Sequence, residues 1–221
     1  MGARKKHTFN YGGNQVTVEM EIVGINHDTL ETPSDEYNNG SNTAMLTWMT
    51  YVMVPKLTNV NNSSKNWSGN EGESHRAGGG WEMSDLRAEY NGALLTALDS
   101  TGILQSGIKS VRKISDHGRY HPNEEAVTYD KIWAPSNTEL NYSSSSMVVA
   151  NQGEPYKLYT DSLSRRKYLY DSKNNYVPYP YWTRSTHTVS HQWYYIPATG
   201  YPYTLNAGNG QTCYTCFGFC L

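Results

Sequence analysis

The sequence predicts an α+β domain of short antiparallel strands with two helices and long loops. Three observations carry this prediction. Val16, Val18, Met20 and Ile22 alternate with Thr17, Glu19 and Glu21, the period of a half-buried strand. Leu86, Tyr90, Leu94 and Leu98 recur on one helical face behind Ser84. Gly, Pro and Asn clusters interrupt the chain too often for long regular elements. The 221 residues fit one domain.

Each element follows from local chemistry. Thr8 to Ile25 reads as strands, with turn residues at Asn10-Tyr11-Gly12-Gly13-Asn14. Residues Met1 to Asn10, carrying Arg4-Lys5-Lys6, read as an N-terminal arm, and 11–221 as the folded domain. Ala44 to Val54 is a second strand candidate. Thr58 to Gly80 is a polar loop with glycosylation sequons at Asn61, Asn62 and Asn66, and another follows at Asn141; these matter only in a eukaryotic secretory route. Ser84 is the expected N-cap of the first helix, Asp85 suits its first turn, and Asp99-Ser100-Thr101-Gly102 ends it. Ile108 to Ile114 and Val127 to Trp133 read as strands. A second helix is expected near Ser162, carrying Arg165, Arg166 and Tyr168. The apolar run Phe217 to Leu221 reads as a buried terminal strand.

Composition excludes several function classes. Hydrophobic residues make up 37%, a modest core that 6 Trp and 19 Tyr can enlarge. A net charge of -2 lacks the basic surplus of a general nucleic-acid binder. No apolar stretch reaches the roughly 18 residues of a membrane span. The N-terminus lacks the apolar core of a secretory signal, so a protein acting outside a cell would leave by lysis or on a particle.

The reactive residues form no catalytic constellation. Cys213, Cys216 and Cys220 have incomplete metal-ligand spacing and read as small buried thiols. His117/His121 and His187/His191 have the spacing of helical metal pairs but lie in non-helical sequence. His27-Asp28 with Glu31 could be an acid/base or metal cluster, and a capped turn explains it as well. Glu124 and Glu125 are adjacent in a loop rather than opposed across a cleft. No nucleophile elbow, phosphate loop or dinucleotide fingerprint is present. The chain therefore reads as a binding or structural module and not an enzyme, with no catalytic residue, metal or cofactor.

Two stretches are candidates for binding. In Tyr181-Trp182-Thr183-Arg184-Ser185, Arg184 could bind a ligand against a wall of Tyr181 and Trp182, or it could bond loop carbonyls in the core. From Thr186 to Gln211 there is no Asp, Glu, Lys or Arg, while Trp193, Tyr194, Tyr195, Tyr201 and Tyr203 recur among turn residues. Uncharged, aromatic, turn-rich sequence predicts exposed loops with a contact surface.

Five segments in order carry a resemblance. They are Glu19 to Asp28; Gly79-Gly80-Trp81-Glu82-Met83-Ser84-Asp85-Leu86-Arg87 with Asn91-Gly92; Tyr129 to Ser136; Trp182-Thr183-Arg184-Ser185; and Phe217-Gly218-Phe219-Cys220-Leu221. The pattern resembles a domain family of Firmicutes bacteria and their phages, found among phage structural proteins and in bacterial surface proteins. The chain departs from phage relatives in its polar and thiol residues between Thr212 and Cys216. By fold analogy the layout is similar to C-type-lectin-like domains and the formylglycine-generating fold. The resemblance implies a virion protein decorating a capsid or tail, located on the particle and able to contact host-surface glycans. The implied partners are other capsid or tail proteins, a host glycan, and further copies of the chain in a homo-oligomer; nucleic acid and membrane are not among them. The rival expectations are a bacterial extracellular adhesion module and a glycan-acting or formylglycine-type enzyme.

Overall fold

The computed structural model describes residues 1–32, 42–65, 76–99, 107–189, 191–207 and 212–221. Pro33, the sequon at Asn66, the helix stop at Ser100-Thr101-Gly102, and Gly208, Gly210 and Gln211 lie outside the described residues.

Strands dominate. They are β1 (Arg4–Tyr11), β2 (Asn14–Ile25), β3 (Leu46–Val52), β4 (Val54–Thr58), β5 (Val111–Asp116), β6 (Glu125–Asp130), β7 (Lys167–Tyr170), β8 (Tyr176–Tyr179), β9 (Tyr181–Thr186), β10 (Gln192–Ile196), β11 (Tyr203–Asn206), β12 (Cys213–Thr215) and β13 (Gly218–Cys220). The first sheet runs β1-β2-β3-β7-β8, with β13 also paired to β3. The second runs β11-β10-β9-β12-β4, and β5 and β6 form a two-stranded ribbon.

The expected α+β fold with two helices is therefore corrected to a mostly β fold of several sheets, and the lectin-like layout falls with it. Among the described residues there is one helical stretch: α1 (Asp85–Glu89), a π-helical turn (Tyr90–Leu94) and α2 (Leu95–Asp99). Ser84 caps it as expected, its hydroxyl accepting from the Arg87 N–H at 3.0 Å. The helix expected near Ser162 is a tight turn instead. Ser164 Oγ accepts from the N–H groups of Thr160 and Asp161, and Asp161 accepts from the Ser164 N–H. Such side-chain bonds compete with helix propagation. The chain then enters β7, where buried Lys167 and Leu169 alternate with half-buried Tyr168 and Tyr170. That is period two, and it overrides any helical preference.

The residues read as an N-terminal arm form β1 instead. They pair with β2 from Arg4↔Glu21 to Tyr11↔Asn14. Gly12 and Gly13 close this hairpin with φ of 61° and 81°, the left-handed geometry that a two-residue turn needs. Phe9, Tyr11, Val16, Val18 and Met20 then share one buried face.

Three short crossings join the sheets, one of them through Pro180 alone between β8 and β9. Met53 alone separates β3 from β4, and Cys216-Phe217 separates β12 from β13. Thr50 locks these last two together. Its N–H donates to the Phe217 carbonyl at 2.9 Å, and its hydroxyl accepts from the Phe217 N–H at 3.0 Å. The β13 segment is central: it pairs β3 on one side and bridges to Trp133 and Lys109 on the other. The larger core packs the β1–β2 face against Leu86, Tyr90, Leu94 and Leu98, with Trp81, Trp133, Trp182, Trp193 and Phe217. A smaller core holds Val23, Met49, Tyr156, Tyr159 and Tyr181.

The motif segments converge on packing contacts. Asp130 accepts from Trp81 Nε1 at 2.8 Å and Arg87 Nε at 2.7 Å. Asn91, in the π-helical turn, donates to the Ile132 carbonyl at 2.9 Å and accepts from the Lys131 N–H at 3.0 Å. Gly80 has φ 54°, and a Cβ there would lie 1.6 Å from the Asp116 carbonyl oxygen, so no side chain fits.

The position of β13 generates a prediction. Phe219 is 3% exposed within the larger core. Phe219→Ala is expected to cost about 3–5 kcal/mol in chemical denaturation, the range for truncating a buried Phe. A loss below about 1 kcal/mol would place the strand at the periphery.

Candidate functional site

The site begins with a cluster of buried charge. Asp28 follows β2, Lys113 and Arg184 stand on β5 and β9, and Glu139 sits in the turn after Ser136. All four are buried, Arg184 completely. Lys113 Nζ donates to Asp28, to Glu139 Oε1 at 3.0 Å and to the Tyr156 hydroxyl at 3.3 Å, and lies 3.8 Å above the Trp133 ring. Asp28 also accepts from Thr47 and from Tyr156. Arg184 donates to Glu139 Oε2 and to the carbonyls of Ile114, Ala134 and Gln152. Two acids thus meet two bases, and each charge is bonded.

The electrostatics follow from that pairing. Burial opposes ionisation of Asp28, but Lys113 and His27 outweigh it and hold the carboxyl well below its ordinary range. Burial likewise opposes Glu139, and Arg184 with Lys113 bring it down. Asp116 differs. Burial pushes it up, although Thr186, Gly118 and Gln152 donate to it, because no cation is among its partners. For His27, burial disfavours the charged form, yet the adjacent Asp28 and then Glu139 raise it above its ordinary value.

A cavity of about 230 Å³ opens over this cluster, lined by His27, Asp28, Thr29, Arg112, Ile114, Glu139, Asn151, Gly153, Glu154 and Arg184. Its floor is already saturated. Both Glu139 oxygens and all three Arg184 nitrogens bond protein groups. The buried charges therefore organise the fold rather than offer free reagents.

The predicted binding residues separate. Arg184 belongs to the buried cluster. Tyr181, Trp193 and Tyr194 are also buried, which corrects the reading of Tyr181 as a ligand-stacking wall and of Trp193 and Tyr194 as an exposed contact surface. Tyr181 donates to the Arg165 carbonyl at 2.7 Å, and Trp193 Nε1 to the Thr183 carbonyl at 2.6 Å. Tyr195 is half-buried between Trp182 and Tyr203. Only Tyr201 and Tyr203 of this group project outward, each 67% exposed. Trp193, Tyr194 and Tyr195 stand on β10, an interior strand of the second sheet, rather than on contact loops, whereas Tyr203 stands on the edge strand β11.

A different aromatic surface lies on the first sheet. Tyr51 of β3, Tyr168 and Tyr170 of β7, and Tyr176 of β8 gather with ring centroids 4.7 Å (Tyr51–Tyr168), 5.4 Å (Tyr51–Tyr176) and 5.5 Å (Tyr170–Tyr176) apart. The Arg4 guanidinium stacks 3.2 Å from the Tyr51 centroid and bonds Glu21 at 2.9 Å. Lys6 sits 5.0 Å from the Tyr170 centroid and 3.5 Å from Glu19. Glu19 accepts from the hydroxyls of Tyr170 and Tyr176. Burial and then the Glu19 bond push Tyr170 up to about 12, and burial beside Tyr168 does the same for Tyr51. These hydroxyls stay neutral donors at physiological pH. Sequence reasoning missed this group because its members come from three separate strands. The signal was the β7 alternation, read as a helix.

The other candidates stay apart. Glu31 is exposed and outside the charge cluster. The His117 and His121 rings are 6.3 Å apart, each facing its own carboxylate, Glu82 and Glu124. His187 accepts from the Val189 N–H. The three cysteines are buried in different surroundings, and burial lifts Cys213 to about 12 and Cys216 to about 11. Among the described residues, no three His, Cys, Asp or Glu side chains gather as metal ligands would.

The His27–Asp28 pair, 3.4 Å apart, sets a pH dependence. A histidine raised on folding stabilises fully below its unfolded value of about 6.5, and that contribution is lost as pH rises through the higher folded value. Asp28 is depressed, so its contribution is present above about 4 and lost as pH falls. His27→Gln is expected to flatten the loss of melting temperature above neutral pH and to leave the acid limb in place. An unchanged alkaline limb would show that His27 does not feel Asp28.

Against known proteins, residues 42–211 match a family described as a domain of unknown function, DUF6273. No curated protein and no solved structure shows a significant match to the chain. The matched span covers most of the chain, from the approach to β3 through β11, so this protein belongs to the DUF6273 domain family.

Proposed function

We propose that this protein is a non-catalytic recognition module on a bacteriophage particle, and that the tyrosine cluster of its first sheet contacts a host cell-surface glycan. The observation that carries the contact is the grouping of Tyr51, Tyr168, Tyr170 and Tyr176 beside Arg4, Lys6, Glu19 and Glu21. Aromatic faces stack on the apolar C–H faces of sugar rings, and charged planar groups bond hydroxyl pairs. Two cations balance two anions here, which suits a neutral polyhydroxylated ligand over a phosphate polymer. The particle setting rests on the motif resemblance to phage structural proteins. Tyr201 and Tyr203, beside and on the edge strand β11, supply an exposed surface for a neighbouring virion protein or another copy of the chain. The non-enzymatic reading is supported by the buried charges, which spend their bonding capacity on protein groups.

The test is binding of the purified protein to cell-wall polysaccharide of a susceptible host. Tyr170→Ala with Tyr176→Ala should weaken binding by at least about thirtyfold, since an aromatic hot spot contributes roughly 2 kcal/mol, while the melting temperature stays close to wild type. Undiminished binding by a folded double variant would remove the tyrosine cluster from the contact. Mass spectrometry of purified particles tests the setting, and absence of the protein there would favour a bacterial adhesion module using the same face.

A further inference from the structure

The cavity over the buried charges carries a second, independent inference. Two of its lining residues bear opposite charges that are not spent. Arg112 stands on β5 beside Lys113, and Glu154 follows Gly153. Among the described residues neither side chain has a hydrogen-bond or ion-pair partner, and the two are not paired with each other although they line one cavity of about 230 Å³. Elsewhere in this protein, opposite charges facing one space pair directly, as Lys113 does with Asp28 and Arg184 with Glu139. A guanidinium and a carboxylate held apart in one small cavity are complementary to a molecule that carries both charges.

Two further features favour such a molecule. The His27 imidazole lines the same cavity, and its Nε2 is buried with no hydrogen-bond partner. Gly153 has φ 113°, a backbone geometry that side-chain-bearing residues rarely adopt, and its bare backbone lies against Glu139 and Arg184. The floor contributes no net charge, since Asp28 and Glu139 balance Lys113 and Arg184. Selection therefore falls to the unspent groups.

We infer that this cavity binds a small zwitterion of the α-amino-acid class, its carboxylate on Arg112 and His27 and its ammonium on Glu154. No covalent step is involved. The site is distinct from the tyrosine cluster and does not depend on glycan binding.

The experiment is an NMR titration of the intact protein at near-neutral pH with L-alanine, acetate and methylammonium as separate probes. L-Alanine should bind saturably, and each single-charge probe at least about tenfold more weakly, because each lacks one charge-assisted bond. Arg112→Gln and Glu154→Gln should each weaken L-alanine by a similar factor. Glu154 is exposed, so its substitution keeps the test decisive should Arg112→Gln fold poorly. The inference is overturned if L-alanine does not bind, if it binds no better than acetate, or if Glu154→Gln leaves its affinity unchanged.

Discussion

The structure depends on burying two carboxylates and two cations together. Taking any one of these charges out of water costs several kcal/mol, which only close partners offset. Asp28, Lys113, Glu139 and Arg184 come from separate stretches of the chain and satisfy one another only when those stretches are assembled. Tyr156 and Thr47 bring in two more segments by hydrogen bonds to Asp28. Such a cluster adds little net stability compared with apolar packing. It does penalise arrangements that leave one charge alone. In a chain with a mean hydropathy of -0.70 and few aliphatic strands, that penalty helps select one assembly of three sheets.

The same logic explains the motifs. Gly80 is excluded from carrying a side chain by the Asp116 carbonyl, and Trp81 donates to Asp130. Arg184 spends its whole guanidinium inside the protein, and Ser185 bonds Gln152 in the same layer. These residues define the pattern because they close buried polar networks, where a half-satisfied member costs more than none. The surfaces left for recognition are outside the networks: the tyrosines of the first sheet, the projecting Tyr201 and Tyr203, and the rim of the cavity.

Much of the strand pattern was legible in sequence. β2 followed from its alternation and the Gly-Gly turn before it, although most of β1 was read as an arm, the helix start followed from Ser84, and the terminal strand from its apolar run. The misreadings share a cause. Period two is hard to see in short strands, so the four residues of β7 passed for helix while Asp161 and Ser164 turned the chain. The uncharged stretch from Thr186 onward has the composition of a contact loop and equally that of an interior strand. For Trp193 to Tyr195 only the position of β10 inside the second sheet, between β9 and β11, separates these. Asp28 stood out only as the neighbour of a histidine, because its decisive partner, Lys113, is 85 residues away.

The most direct measurement of the central claim is a double-mutant cycle on Asp28 and Lys113, read by chemical denaturation. Lys113→Met and Asp28→Leu should each cost about 3–5 kcal/mol, since each strands a buried charge. The double variant keeps the Arg184–Glu139 pair and should fall short of the sum of the single losses by at least about 2 kcal/mol. Additive losses, within about 0.5 kcal/mol, would contradict the account, because the two charges would then not be stabilising one another in the folded protein.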